Sequence, residues 1–246
     1  MKAIILAAGW PGRDFPADTK PKCLYHYKGS VLLDIAVNSV LQAGIQSVRL
    51  VVGYKEDEIR EYTQNKKWKL EFVRNDDWMT DAVKSLDVGL AGLDTDAMIL
   101  CADLIIDKSL IEAFLKTNPD RLAWIRSIEP WDQNRGEIVY DDVYRCDIDN
   151  SIVKIPRRLL RLFEGGRERA DRFLARYHWE TPTGPGTGVY FGAAITETFR
   201  DHRPIEEVVI PKPIKDIDAF SQTDEFKFGR YFHDFVQGRA PAAEQQ

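Results

Sequence analysis

The residues best suited to chemistry lie near the start of the chain and suit a phosphate. A short apolar run, Lys2-Ala3-Ile4-Ile5-Leu6-Ala7-Ala8, breaks at Gly9 into a loop that carries Gly12, Arg13, Lys20 and Lys22. Small residues let backbone N–H groups approach a phosphate closely. Arg13 and Lys22 would add cationic charge, the arginine as a planar fork and the lysine as a compact point charge. A second candidate is Asp103, which ends the apolar stretch Met98-Ile99-Leu100-Cys101-Ala102. A carboxylate there offers a hard oxygen ligand at the rim of a sheet. Asp218 likewise follows an apolar residue in Lys215-Asp216-Ile217-Asp218, and on an extended segment Asp216 shares its face. Plainer readings stand beside each of these: a strand-to-helix turn that needs glycine, solvated lysines at Lys20 and Lys22, and a capping or turn aspartate. Asp107 in particular reads as an N-cap for a helix that starts at Lys108.

The elements that must position these residues follow from periodicity. The run from residue 2 reads as a buried parallel strand. Residues 23–27 read as a short strand and 28–30 as a turn. Leu33, Ala36, Val37, Val40 and Leu41 have helical spacing within 32–42, with Gly44 placed as the C-cap. Strands are expected at 48–52, 70–73 and 97–101, and helices at 57–64 and 81–90. Strands alternating with helices imply βαβ units and a parallel sheet, whose ligands sit beyond the carboxyl ends of the strands. Gly9, Asn75 and Asp103 each lie just past a predicted strand end, so they are expected to converge on one cleft. The second half is less regular. Residues 122–128, 136–144 and 152–155 read as antiparallel strands, 157–177 as two arginine-rich helices split at Gly165-Gly166, and 189–191 as a strand.

The 246 residues are enough for one large domain or two small ones. Hydrophobic content of 44% and charged content of 30% are those of a soluble globular chain. A net charge of −5 argues against a general nucleic-acid binder. Cys23, Cys101 and Cys146 are widely spaced, which suits a reducing compartment, and the four scattered histidines argue against a histidine metal cluster. No apolar run is long enough for a bilayer and no signal-peptide layout is present, so a cytoplasmic protein without membrane contact is expected.

The opening resembles the sugar-nucleotidyltransferase superfamily, whose pattern is L-A-A-G-x-G-x-R followed by P-K. Leu6, Ala7, Ala8, Gly9, Arg13, Pro21 and Lys22 fall on it. So do the aspartate after the fourth strand, Thr187-Gly188-Val189-Tyr190, and the I-D pair at Ile217-Asp218. Pro11 stands where the family has its second glycine, and Ala102 where it has a glycine before the aspartate. The resemblance implies a Rossmann-like α/β fold, with a mixed, mainly parallel sheet flanked by helices. It implies one domain over 1–236, with a nucleotide-binding half at about 1–120, an acceptor-binding half at about 121–236 and a tail at 237–246. It further implies that Lys22 and Arg13 are catalytic, that Asp103 and Asp218 hold Mg2+, and that Leu6, Ala7, Ala8, Gly9 and Gly12 bind the nucleotide.

Among members resembling choline-phosphate cytidylyltransferases, an N-N-x-x-S-L segment contacts the base. Here Ser85-Leu86 fits, and Asp81 replaces an asparagine. An ionised aspartate accepts from the amino group of cytosine but cannot donate to a carbonyl, which favours CTP. The acceptor is expected to be a small phosphate monoester such as phosphocholine, with Lys154, Tyr190 and Trp179 as acceptor-binding candidates and Trp78 and Trp131 as further aromatic walls. The rival enzyme is a sugar-1-phosphate nucleotidyltransferase. The rival of another class is a nucleotide-binding regulatory domain without catalysis, supported by Pro11 and Asp81. The arginine run at 157–176 reads as a solvated helical face or a dimer surface, which leaves a homodimer open.

Overall fold

The computed structural model describes residues 1–11, 19–79, 82–127, 138–140, 144–146, 152–163, 165, 168, 172, 206–210, 215–217 and 222–225. Strands β1 (Lys2–Leu6), β4 (Val48–Val52), β5 (Leu70–Arg74) and β6 (Ala97–Cys101) are parallel neighbours in the order β5-β4-β1-β6. The sheet continues through β11 (Ile152–Ile155), β8 (Ala123–Ser127) and β12 (Glu206–Ile210). β11 runs antiparallel to both of its neighbours, and β12 is parallel to β8. Among the described residues seven strands therefore form one sheet in which only β11 is reversed.

Both faces of this sheet are covered, which is why its central strands are mostly apolar, with Arg49 of β4 the charged exception inside them. Ala3, Ile5 and Ala7 pack into one core with Val37, Ile59, Ile111 and Phe114, which come from helices α1 (Leu32–Gln42), α2 (Glu56–Thr63) and α4 (Lys108–Leu115). Ile4, Leu6 and Ala8 point the other way, into a core with Val83 and Leu86 of α3 (Ala82–Leu90). The period of two along β1 thus feeds two cores. Helix α1 falls where the periodicity places it, and Gly44 follows it with φ of +97°, a conformation glycine adopts without strain.

The order of connections opens a crevice. From β1 the chain builds outward through α1 to β4 and through α2 to β5, then crosses back through α3 to β6 on the other side of β1. Strand order reverses between β1 and β6, and at such a switch point the carboxyl ends of the strands flank a cleft.

Three expectations need correction. Residues 23–27 are not one strand: Lys22–Leu24 form a 3₁₀ turn, with Leu24 N donating to the Pro21 carbonyl, and only His26–Tyr27 are extended, as β2. β2 forms a hairpin with β3 (Ser30–Val31). The expected strand at 136–144 is instead a small antiparallel pair, β9 (Ile138–Tyr140) and β10 (Tyr144–Cys146), separate from the main sheet. Residues 157–163 form a 3₁₀ segment. Two strands carried no signal strong enough to be read: β12, and β13 (Lys215–Asp216), which pairs antiparallel with β7 (Leu104–Ile105).

Candidate active site

The cleft is built from the carboxyl ends of β1, β4, β5 and β6, and backbone hydrogen bonds tie those ends together. Ala7 N donates to the Val51 carbonyl at 2.8 Å, Ala102 N to Leu6 at 2.9 Å, Tyr54 N to Ala8 at 3.0 Å and Asn75 N to Val52 at 2.8 Å. The predicted convergence of Gly9, Asn75 and Asp103 on one sheet edge is thereby realised. Gly9 follows directly from this lattice. Its φ is not positive, and a Cβ built there meets nothing within 4 Å among the described residues. Among the described residues neither strain nor packing explains its glycine.

Lys22 reaches the same place from the other side. Its Nζ lies 2.7 Å from Asp103 Oδ2, and the two side chains are only 15% and 22% exposed. The pair joins a lysine from the loop after β1 to a carboxylate just past β6, across the point where strand order reverses. The other carboxylate oxygen, Asp103 Oδ1, is buried and has no hydrogen-bond partner among the described residues. An orphaned hard oxygen next to a cation fits a site for a divalent ion such as Mg2+ together with phosphate. The backbone of Asp103 is held from the far end of the chain, since Ile217 N donates to its carbonyl at 3.2 Å and Asp216 pairs with Leu104. Asp218 is the next residue along and lies outside the described residues. Cys23, beside Lys22, is buried, and burial followed by the charge of Asp103 pushes its thiol far up. It is therefore a packed side chain rather than a nucleophile.

The nucleotide-side candidates divide. Leu6, Ala7 and Ala8 line the end of β1, with Leu6 and Ala8 offering carbonyls already engaged by Ala102 and Tyr54. Ser85 is buried and accepts from Asn75 Nδ2 at 3.0 Å, while Asn75 Oδ1 accepts from Asp77 N. Ser85 thus shapes the loop after β5. Trp78 stands on that loop, edge-on to Tyr54 with ring centroids 5.2 Å apart. Gly53 is what lets it sit there, since a Cβ at Gly53 would lie 2.6 Å from Trp78 Cβ and 3.0 Å from Ala8 Cβ. Tyr54 Oη in turn donates to the Thr19 carbonyl at 2.9 Å, which fixes the chain just ahead of Lys22. Gly12, Arg13, Asp81, Trp131, Trp179 and Tyr190 lie outside the described residues.

Lys154 is not brought to this cleft. It pairs with Met98 on antiparallel β11, five residues back from Asp103 and toward the opposite edge of the sheet. It is buried, and its Nζ donates to the Thr117 and Asn118 carbonyls at 3.1 and 2.9 Å, below the end of α4. Burial holds its ammonium below the ordinary lysine range, with Glu206 and Asp96 opposing that effect. Asp107 caps α4 as expected, accepting from Leu110 N. Sequence reasoning missed Tyr54 and Glu225 as supports of the Lys22 turn. A tyrosine after a strand and an acid near the C-terminus carry no local signal for such roles.

Residues 3–178 match the MobA-like NTP transferase domain. A CTP:phosphoglutamine cytidylyltransferase of Campylobacter jejuni is 38% identical over 63 residues, 25% of this chain and 25% of that protein. A 2-aminoethylphosphonate cytidylyltransferase of Lancefieldella rimae is 26% identical over 156 residues, 62% of this chain and 59% of that protein. The chain thus spans less than two thirds of the length of these two relatives. The solved structure of the inositol-1-phosphate CTP transferase from T. maritima shares the fold, with a TM-score of 0.65 at 14% identity over 97% of each chain. Among the described residues no helix is long and apolar enough to cross a membrane.

Proposed function

Because the chain belongs to the family of MobA-like NTP transferase domains, we propose that it is a Mg2+-dependent cytidylyltransferase that couples CTP to a small phosphorylated amine or alcohol of the phosphocholine kind. The observation that carries this reading is the Lys22–Asp103 pair, a cation and a carboxylate 2.7 Å apart at the switch point of the sheet. In the reaction an oxygen of the acceptor's phosphate forms a bond to the α-phosphorus of CTP. The bond from that phosphorus to the bridging oxygen breaks, and pyrophosphate leaves with the electron pair. No covalent intermediate with the protein is needed.

Each residue has a task in that step. The Lys22 ammonium, held in place by its turn, offsets the negative charge that grows on the α-phosphate oxygens. Arg13 adds a second cation from the same loop. The open space at Gly9 leaves room for phosphate oxygens against the backbone. Asp103, through its unpartnered oxygen, and Asp218 would hold the magnesium ion. When bound, that ion neutralises phosphate charge as a Lewis acid. The two relatives described above are named as cytidylyltransferases of phosphoglutamine and of 2-aminoethylphosphonate, which supports CTP and a nitrogen-bearing acceptor here.

The test is pyrophosphate release with Mg2+ over a grid of nucleoside triphosphates. The acceptors are phosphocholine, other phosphorylated amines, aminoalkylphosphonates, phosphorylated polyols and sugar 1-phosphates. Turnover concentrated in the CTP row with a phosphorylated amine is expected. A bright cell with a sugar 1-phosphate would move the assignment to the rival enzyme. A silent grid together with absent CTP binding by calorimetry would refute it.

A further inference from the structure

Glu225 contacts residues on both sides of the turn that carries Lys22. One carboxylate oxygen, Oε1, accepts from Lys20 Nζ at 2.8 Å, from His26 Nδ1 at 2.6 Å and from His26 N at 2.9 Å. The other, Oε2, also accepts from His26 N at 2.9 Å. Its neighbour Asp224 accepts from Gly29 N at 2.7 Å, and Thr223 beside it is buried. Lys20 and His26 are the two shoulders of the turn that carries Lys22. The carboxylate at residue 225 therefore bridges both ends of the segment whose middle must present an ammonium to phosphate.

Lys20 is accounted for by the same contact. Its Nζ lies on Glu225 and 4.8 Å from the centre of the Tyr25 ring, so it is committed to the clamp rather than to a ligand. The C-terminal segment also reaches the other half of the site, because Ile217 N holds the Asp103 carbonyl. Residues 217 and 225 thus touch the support of the two members of the Lys22–Asp103 pair. A misplacement of about 1 Å at a reacting group costs on the order of 10²-fold in rate, so a clamp on the shoulders of Lys22 acts on turnover.

We propose that Glu225 is a positioning residue that sets the Lys22 turn for phosphoryl chemistry. This rests on the function proposed above. Its test combines a double-mutant cycle with a measurement that needs no activity. Glu225→Ala is expected to lower kcat by about tenfold or more while the KM for CTP changes by less than about threefold. In a Lys22→Met background the same substitution is expected to cost nothing further, since it acts through Lys22. Glu225→Gln, which keeps an acceptor for His26 N but loses the charge, should fall between wild type and Glu225→Ala. It serves as the working variant if the alanine protein does not fold. In parallel, hydrogen exchange at the amides of 22–26 should accelerate in either variant, while that of β1, β4 and β6 is unchanged. An equal loss in wild-type and Lys22→Met backgrounds would overturn the proposal, as would unchanged kcat with accelerated exchange. If the wild-type protein shows no cytidylyl transfer at all, the exchange arm still decides the clamp: unchanged exchange at 22–26 overturns it, whereas accelerated exchange keeps the clamp and leaves only the reaction it serves to be replaced.

Discussion

Replacing Lys22 by methionine keeps the length and most of the apolar volume of the side chain and removes its charge. The magnitude follows from the ion pair. At 2.7 Å and an effective dielectric constant of about 20, the gross attraction to Asp103 is about 6 kcal/mol, most of which desolvation cancels. What the substitution leaves is a carboxylate with one oxygen already unpartnered and the other newly so. Stranding a largely buried acceptor in this way costs about 1–3 kcal/mol. For a chain of this size that is roughly 2–12 °C in Tm. The catalytic effect is larger, because losing one preorganised donor to a developing oxyanion costs about 10²–10³ in kcat. Thermal unfolding and pyrophosphate release on the same preparation separate the two effects. Lys20→Met is the control. It sits two residues away but faces Glu225, so it should lose less than about tenfold in turnover. Retention of activity within about fivefold in Lys22→Met, or an equal loss in Lys20→Met, would refute the reasoning.

Other perturbations have expected outcomes of the same kind. Chelation should abolish pyrophosphate release and added Mg2+ restore it. In Asp103→Asn the concentration of Mg2+ needed for half-maximal rate should rise by at least about tenfold, as for loss of one ligand or its support, read from a metal titration of initial rates. Gly53→Ala drives a Cβ to 2.6 Å from Trp78 Cβ, so it should destabilise by about 1–3 kcal/mol in denaturant unfolding and shift the Trp78 fluorescence. Lys154→Ala leaves one buried and one part-buried carbonyl without their donor, which should cost about 1–3 kcal/mol while kcat and both KM values stay at wild-type levels, since that side chain lies toward the far edge of the sheet. Burial alone would raise the Glu225 carboxyl, but bonds from Lys20 and His26 outweigh it and hold the group below its ordinary value of 4.5. Its folded state therefore binds fewer protons than the unfolded chain in acid. The stability it adds is complete above the ordinary carboxylate range and is lost as pH falls through the lowered value. The stability difference between wild type and Glu225→Gln should accordingly be flat near neutrality and shrink below about pH 4.5.

The parallel half of the molecule was legible in the amino-acid order because each element there is specified locally. Helix α1 carries its own apolar stripe and its glycine stop, and β1, β6 and (interrupted only at Arg49) β4 carry apolar runs whose alternate residues feed two buried faces. The residue types of the cleft were legible for the same reason. A lysine after a proline and a carboxylate at the end of an apolar strand stand out as candidates, and the resemblance to a family pattern is what singled them out. The turn at Lys22–Leu24 was not, because its five-residue surroundings have strand-like composition. Its 3₁₀ form is set by the bond from Leu24 N to Pro21 and by the clamp from Glu225.

What the chain order by itself determined is the inventory: which side chains are candidates for phosphate and metal chemistry, and on which strand ends they stand. Tertiary structure alone decided the pairings. That Lys22 meets Asp103, that Lys154 meets the carbonyls below α4 instead of a ligand, and that Glu225 spans the turn 199 residues before it in the chain at His26 are consequences of strand order and direction. Local propensity acts over a few residues, whereas these contacts close loops of tens to hundreds of residues. They are stabilised only when the whole sheet brings their ends together, and no window of the sequence contains both partners.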